Sequence, residues 1–86
     1  MKHTRQVNRY AGSHTELAKE LGDLYYDSLA DFLRLLADKL HKDALADQAR
    51  GRRKLSKELH DCSAQLSAAA NCVDRAWRIC EPYMVD

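Results

Sequence analysis

From Leu55 onward, Leu55, Leu59, Cys62, Leu66, Ala69, Val73, Ala76, Cys80 and Tyr83 recur at alternating steps of four and three, over four heptads. A stripe of that period belongs to a long helix that buries one narrow seam against a partner helix. Composition agrees. Ala and Leu dominate, the chain has three glycines and a single proline, and strand-forming Val, Ile, Phe and Trp are few. The expected fold class is therefore all-α. With 86 residues there is room for one domain. A chain this short buries only about 60–65% of its unfolded surface, so a lone monomer is marginal. Small domains offset this with disulfides, metals or oligomerisation.

Upstream of the seam, residues 1–12 carry Lys2, Arg5 and Arg9, no acid and no sustained apolar period. They read as a flexible basic arm. Ser13 followed by Glu16 is a capping box, in which the hydroxyl serves one free backbone N–H and the carboxylate another. The first helix then shows a polar ridge of Glu16, Glu20, Asp23, Asp27, Asp31, Arg34 and Asp38. The rest of its circumference is largely apolar, including Leu17, Leu21, Leu24, Tyr25, Leu29, Phe32, Leu33, Leu35, Leu36 and Leu40. An arc that wide needs more than one neighbour.

Two positions compete for the connection. The first helix can run through Ala49 and stop at Gly51 as a left-handed cap, or it can stop near His41–Lys42 with Asp43 capping the next helix. Continued backwards, the seam meets Arg52 and Gln48, which are poor core residues, so the turn is placed near residues 50–53. The expected order is a helix over about 14–49, a turn over about 50–53 and a helix over about 54–80, within a single domain spanning 13–86. Pro82 disfavours helical geometry at Glu81 and sets the end near Cys80. Asp74 and Arg78 are expected to pair one turn apart. Ala64, Ala68 and Cys72 form a second face of small residues that would allow close approach of another helix.

Net charge is only +1, which argues against a bulk nucleic-acid binder. It is unevenly spread, and Arg50, Arg52, Arg53, Lys54 and Lys57 form a run without acids. This cluster is the candidate phosphate- or partner-binding site. On a helix, Arg50, Arg53, Lys54 and Lys57 would share a face. The bland alternative is a solvated turn whose cations suit the end of the preceding helix. Like charges one turn apart in the acidic ridge repel slightly, and a solvated face is the simplest account of them.

Other chemistry has little footing. None of the four histidines lies one turn from another or from a cysteine, and the Glu58/Cys62 pair alone is no zinc site. Cys62 and Cys80 fall in the seam, where a thiol acts as a small hydrophobe, while Cys72 lies off it. The odd number of cysteines, without a Cys-x-x-Cys pair, and the polar N-terminus point to free thiols in the cytoplasm. No apolar run is long enough for a membrane span. Neither a Gly-rich phosphate loop nor a nucleophile elbow occurs, so no catalytic, cofactor-binding or metal-binding residue is assigned.

Taken together, these features predict an antiparallel two-helix hairpin that dimerises into a four-helix bundle. The seam Leu55, Leu59, Cys62, Leu66, Ala69, Val73, Ala76 and Cys80 packs on the first helix, and the surplus apolar arc meets a second copy. The functional expectation is a self-associating, non-enzymatic interaction module with a further, unidentified protein partner. A nucleic-acid accessory protein using the basic turn and arm is the second reading, which the balanced charge does not favour.

Overall fold

A computed structural model of the chain describes residues 3–84, and all regular structure among them is helical. Met1 and Lys2 of the expected arm, and Val85 and Asp86 of the tail, lie outside the described residues. Helix α1 spans His14–Gly22, α2 spans Tyr26–Ala49 and α3 spans Arg53–Cys80. A single 3-10 turn, Glu81–Tyr83, follows.

The capping box forms as its residues dictate. The Ser13 hydroxyl accepts from the Glu16 N–H at 3.1 Å, and Glu16 Oε1 accepts from the Ser13 N–H at 3.0 Å. The Ser13 hydroxyl also donates to Glu16 Oε1 at 3.0 Å, and the two bonds this carboxylate accepts hold it below its ordinary pKa, the backbone one most of all. Earlier in the chain, the Tyr10 hydroxyl donates to Glu20 Oε2 at 2.5 Å, and that bond raises the Tyr10 pKa.

One continuous helix over 14–49 is not what the chain forms. Gly22, the residue with the poorest helix propensity after proline, ends α1. Tyr25 is extended at φ −52°, ψ 141°, which turns the chain before α2. Asp27 in the first turn of α2 accepts from the Ser28 N–H at 2.8 Å, and its charge suits that end of the helix dipole. The acidic ridge is thereby divided, with Glu16 and Glu20 on α1 and Asp27, Asp31 and Asp38 on α2.

Between the long helices, Gly51 sits at φ 79°, a left-handed conformation that glycine adopts without steric cost. A Cβ there would meet nothing within 4 Å, so the requirement for glycine is conformational. At the other end of α3, Glu81 keeps helical dihedrals despite preceding Pro82. Proline has no N–H for the α-helical ladder, and the backbone tightens into the 3-10 turn there.

Helices α2 and α3 supply the main packing, and α1 is closely apposed to neither. Residue numbers fall along α3 as they rise along α2. The Ser56 hydroxyl donates to the Ala44 carbonyl at 2.8 Å, the Ser63 hydroxyl donates to the Ala37 carbonyl at 2.8 Å, and Tyr25 meets Trp77 with centroids 5.6 Å apart. The contact row on α2 is Ala30, Ala37 and Ala44, a strict heptad, and all three are buried. Facing it on α3 are buried Ser56, half-buried Ser63, buried Ala70 and half-buried Trp77, again one heptad apart. Small side chains bring the two backbones close enough for serine hydroxyls of one helix to reach carbonyls of the other.

This displaces the expected seam by one residue. Leu55 is 46% exposed and Cys62 is exposed, while Leu59, Leu66, Ala69, Val73, Ala76 and Cys80 are half-buried. The physical reason is volume, because a leucine row would hold the helices further apart than the alanine row of α2 allows. Ala64, Ala68 and Cys72, expected to mediate close approach, are all exposed. Among the described residues the buried apolar ones are four alanines, and no large side chain is fully buried.

Candidate functional site

The heptad contact row divides the surface of the helix pair into two flanks. Residues three positions after the row point to one side on both helices, and residues four positions after it point to the other, because the helices run in opposite directions. On the first flank are Leu33 and Leu40 of α2 with Leu59, Leu66, Val73 and Cys80 of α3, every one half-buried. Outside them lie Leu29 and Leu36 on α2 and Leu55, Cys62, Ala69 and Ala76 on α3. The seam residues named from sequence are thus together, on an open apolar flank rather than between the helices.

Near the turn this flank gives way to charge. A cleft of about 390 Å³ there is lined by Leu40, Leu55 and Leu59 together with Asp43, Asp47, Arg50, Arg52 and His3. Asp43 and Asp47 are buried but not unpaired. Lys39 Nζ donates to both oxygens of Asp43 at 2.7 and 2.6 Å, and Asp47 faces Arg52 at 3.3 Å and Arg50 at 3.9 Å. Backbone bonds from Arg50 N–H and Arg52 N–H to the Asp47 carbonyl tie the same residue to the turn.

The basic cluster is consequently split. Arg50 is the C-terminal cap of α2 and does not share a helix face with Arg53, Lys54 and Lys57. Arg50 and Arg52 turn toward Asp47, and Lys57 donates to Asp61 at 3.1 Å, a bond that raises the Lys57 pKa. Among the described residues, Arg53 and Lys54 have no carboxylate partner within salt-bridge distance. The cluster assembled by sequence proximity is therefore two separate groups.

The second flank is polar and carries pairs that sequence proximity concealed. Arg34 donates to the Asp74 carboxylate and, at 3.1 Å, to Asn71 across the helix pair. The bond to Asp74 raises the Arg34 pKa. Asp74 was expected to pair with Arg78 on its own helix; the cross-helix partner takes it instead. Arg34, expected on the outward ridge, is drawn onto this flank. Further along, the His41 and His60 rings lie edge to face with centroids 5.0 Å apart. Beside them, toward the turn, an open cleft of about 490 Å³ is lined by Gln48, Arg53, Ser56, Lys57, His60 and Asp61.

At the far end, Tyr25, Tyr26, Leu24, Trp77, Cys80 and Met84 line a cleft of about 370 Å³ beside the break between α1 and α2. Trp77 is the only large residue in the contact row, and its ring packs against Tyr25 rather than between close backbones. The three thiols are free, with Cys62 and Cys72 exposed and Cys80 half-buried. Cys62 was expected in the packed seam and is exposed because that seam is open. Among the described residues no group of three or more His, Cys, Asp or Glu is placed to hold a metal ion. No described helix is long and apolar enough to cross a membrane. Compared with known proteins, the chain matches no family model, no curated protein and no solved structure.

Proposed function

We propose that this chain is a small, non-enzymatic helical interaction module whose first partner is a second copy of itself. In this reading α2 and α3 form an antiparallel hairpin, and two hairpins meet through their leucine-bearing flanks about a two-fold axis to make a bundle of four long helices. One observation carries the reading: among the described residues the buried apolar ones are four alanines, while Leu33, Leu40, Leu59 and Leu66 stop half-way to burial on one shared flank.

Magnitudes support the same conclusion. A buried alanine methyl contributes about 0.8 kcal/mol, so four contribute ~3 kcal/mol. Completing the burial of six half-buried flank residues removes further apolar surface from water. A two-fold axis suits this flank because its apolar strip is self-complementary, whereas the cross-helix ion pair and the histidines lie on the other side. The charged second flank and the acidic residues of α2 would then face outward, available to a further protein.

Nucleic-acid binding has less support. Its proposed site has lost Arg50, Arg52 and Lys57 to carboxylates on the same chain. The experiment that tests self-association places a charge on the flank. Leu66→Asp and Leu36→Asp are expected to shift the sedimenting species to the monomer, whereas Leu35→Asp, at a site already 67% exposed, leaves the mass unchanged. Association insensitive to the two flank substitutions would refute the assignment of this face.

A further inference from the structure

The second flank brings together two metal-ligating side chains that are nineteen positions apart in the sequence. His41 lies two-thirds of the way along α2 and His60 in the first third of α3, and the heptad pairing of the helices sets their rings edge to face at 5.0 Å between centroids. We propose that His41 and His60 form a two-imidazole site for a borderline divalent transition ion of the zinc class, bridging α2 and α3.

With metal–nitrogen bonds of about 2.0–2.1 Å, two imidazoles on one tetrahedral ion have ring centroids about 5 Å apart. The observed separation already has that value, so chelation needs ring rotation and no movement of the helices. His41 is exposed and free to rotate about its side-chain torsions, while His60 is half-buried and held closer to the pair. Imidazole suits zinc, cobalt and copper and is a poor ligand for magnesium or calcium, which take oxygen donors.

The open cleft beside His60, lined also by Gln48, Arg53, Lys57 and Asp61, leaves the remaining coordination positions to water or a small ligand. Lys57 is held by Asp61 at 3.1 Å, which moderates its repulsion of an incoming cation, while Arg53 in the same cleft opposes one and keeps the affinity modest. With two protein ligands the ion is exchangeable, unlike the closed four-ligand sites that build zinc domains. Its effect is to cross-link the helix pair on the flank opposite the leucines, so both ligands come from one chain and neither lies in the proposed dimer interface.

Zinc alone serves as the probe, titrated into the full chain and followed by calorimetry. One ion per chain is expected, with affinity reduced at least tenfold in His41→Ala and in His60→Ala and unchanged in His14→Ala, whose ring lies on α1. Because the ion binds only where both helices are folded, zinc should raise the melting temperature of the wild type and not of the two variants. Circular dichroism of the variants establishes that they remain helical, and His41→Gln repeats the test with an exposed polar residue. Wild-type affinity in both alanine variants, no binding at millimolar zinc, or one ion shared by two chains with a change in mass would each overturn the assignment.

Discussion

Replacing Ala37 with leucine probes the heart of the helix pair. Ala37 is 2% exposed, and its carbonyl accepts the Ser63 hydroxyl at 2.8 Å. That bond holds the two backbones close at this point in the row. Leucine adds three carbons where the facing residue is a serine already in contact with the backbone, so the helices must separate and the bond must lengthen. Overpacking of this kind costs ~1–3 kcal/mol. For a domain of this size each kcal/mol moves the melting temperature by about 4–8 °C, so a fall of ~5–20 °C is expected. The matched control is Ala68→Leu, the same chemical change at an exposed position of α3. Its effect should stay within about 0.5 kcal/mol. Thermal unfolding followed by circular dichroism, at one fixed protein concentration, measures both. An Ala37→Leu protein that melts at or above the wild type, or a control destabilised equally, would refute close packing through the alanine row.

Further outcomes follow from the same structure. Gly51→Ala is expected to destabilise by about 1 kcal/mol, because alanine resists the left-handed conformation, whereas Gly22→Ala should lengthen or strengthen α1, gaining up to ~1 kcal/mol in helix propensity; amide exchange distinguishes the two. The Glu16 carboxyl has a folded pKa below its unfolded value, so its contribution to α1 is fully present above the unfolded value of 4.5 and is lost as pH falls through the folded one; exchange protection in α1 should drop in that acidic window and be pH-independent there in Glu16→Gln. Asp74→Asn should lower stability at low ionic strength, with an effect that fades as salt rises, since the Arg34 and Asp74 side chains are 39% and 29% exposed; denaturant titrations at two salt concentrations measure it.

Which features could be read from the residues depends on how local their causes are. The Ser13/Glu16 box and the glycine at the turn are local, and periodicity alone shows that both long segments are helical. The break between α1 and α2 is less visible. It rests on Gly22 and on an extended Tyr25 without a proline to mark the place. The seam shows a different limit. Large apolar residues at heptad spacing look like the packed row, yet Ser56 and Ser63 occupy it, because at close backbone separation a serine can bond a carbonyl of the neighbouring helix. Read as polar surface, those serines hide the true row and shift it by one residue.

Cross-helix partners are hidden for a related reason. His41 with His60 and Arg34 with Asp74 follow once the turn at Gly51 and the heptad register are both known. Neither pair is close in sequence, and sequence proximity instead favoured Asp74 with Arg78 and gathered Arg50 with Arg53. The serine and alanine spacing at Ala30, Ala37, Ala44 and Ser56, Ser63, Ala70 was the available signal for the register. It repeats at seven in both helices and mirrors about the turn.

Sedimentation equilibrium of the unmodified chain over a range of micromolar concentrations decides whether a helix pair with an alanine core completes its burial against a second copy. Pairing through the leucine flanks predicts a species of twice the 9.8 kDa chain mass that dissociates on dilution with loss of helix. A fully helical 9.8 kDa species at every concentration would contradict it.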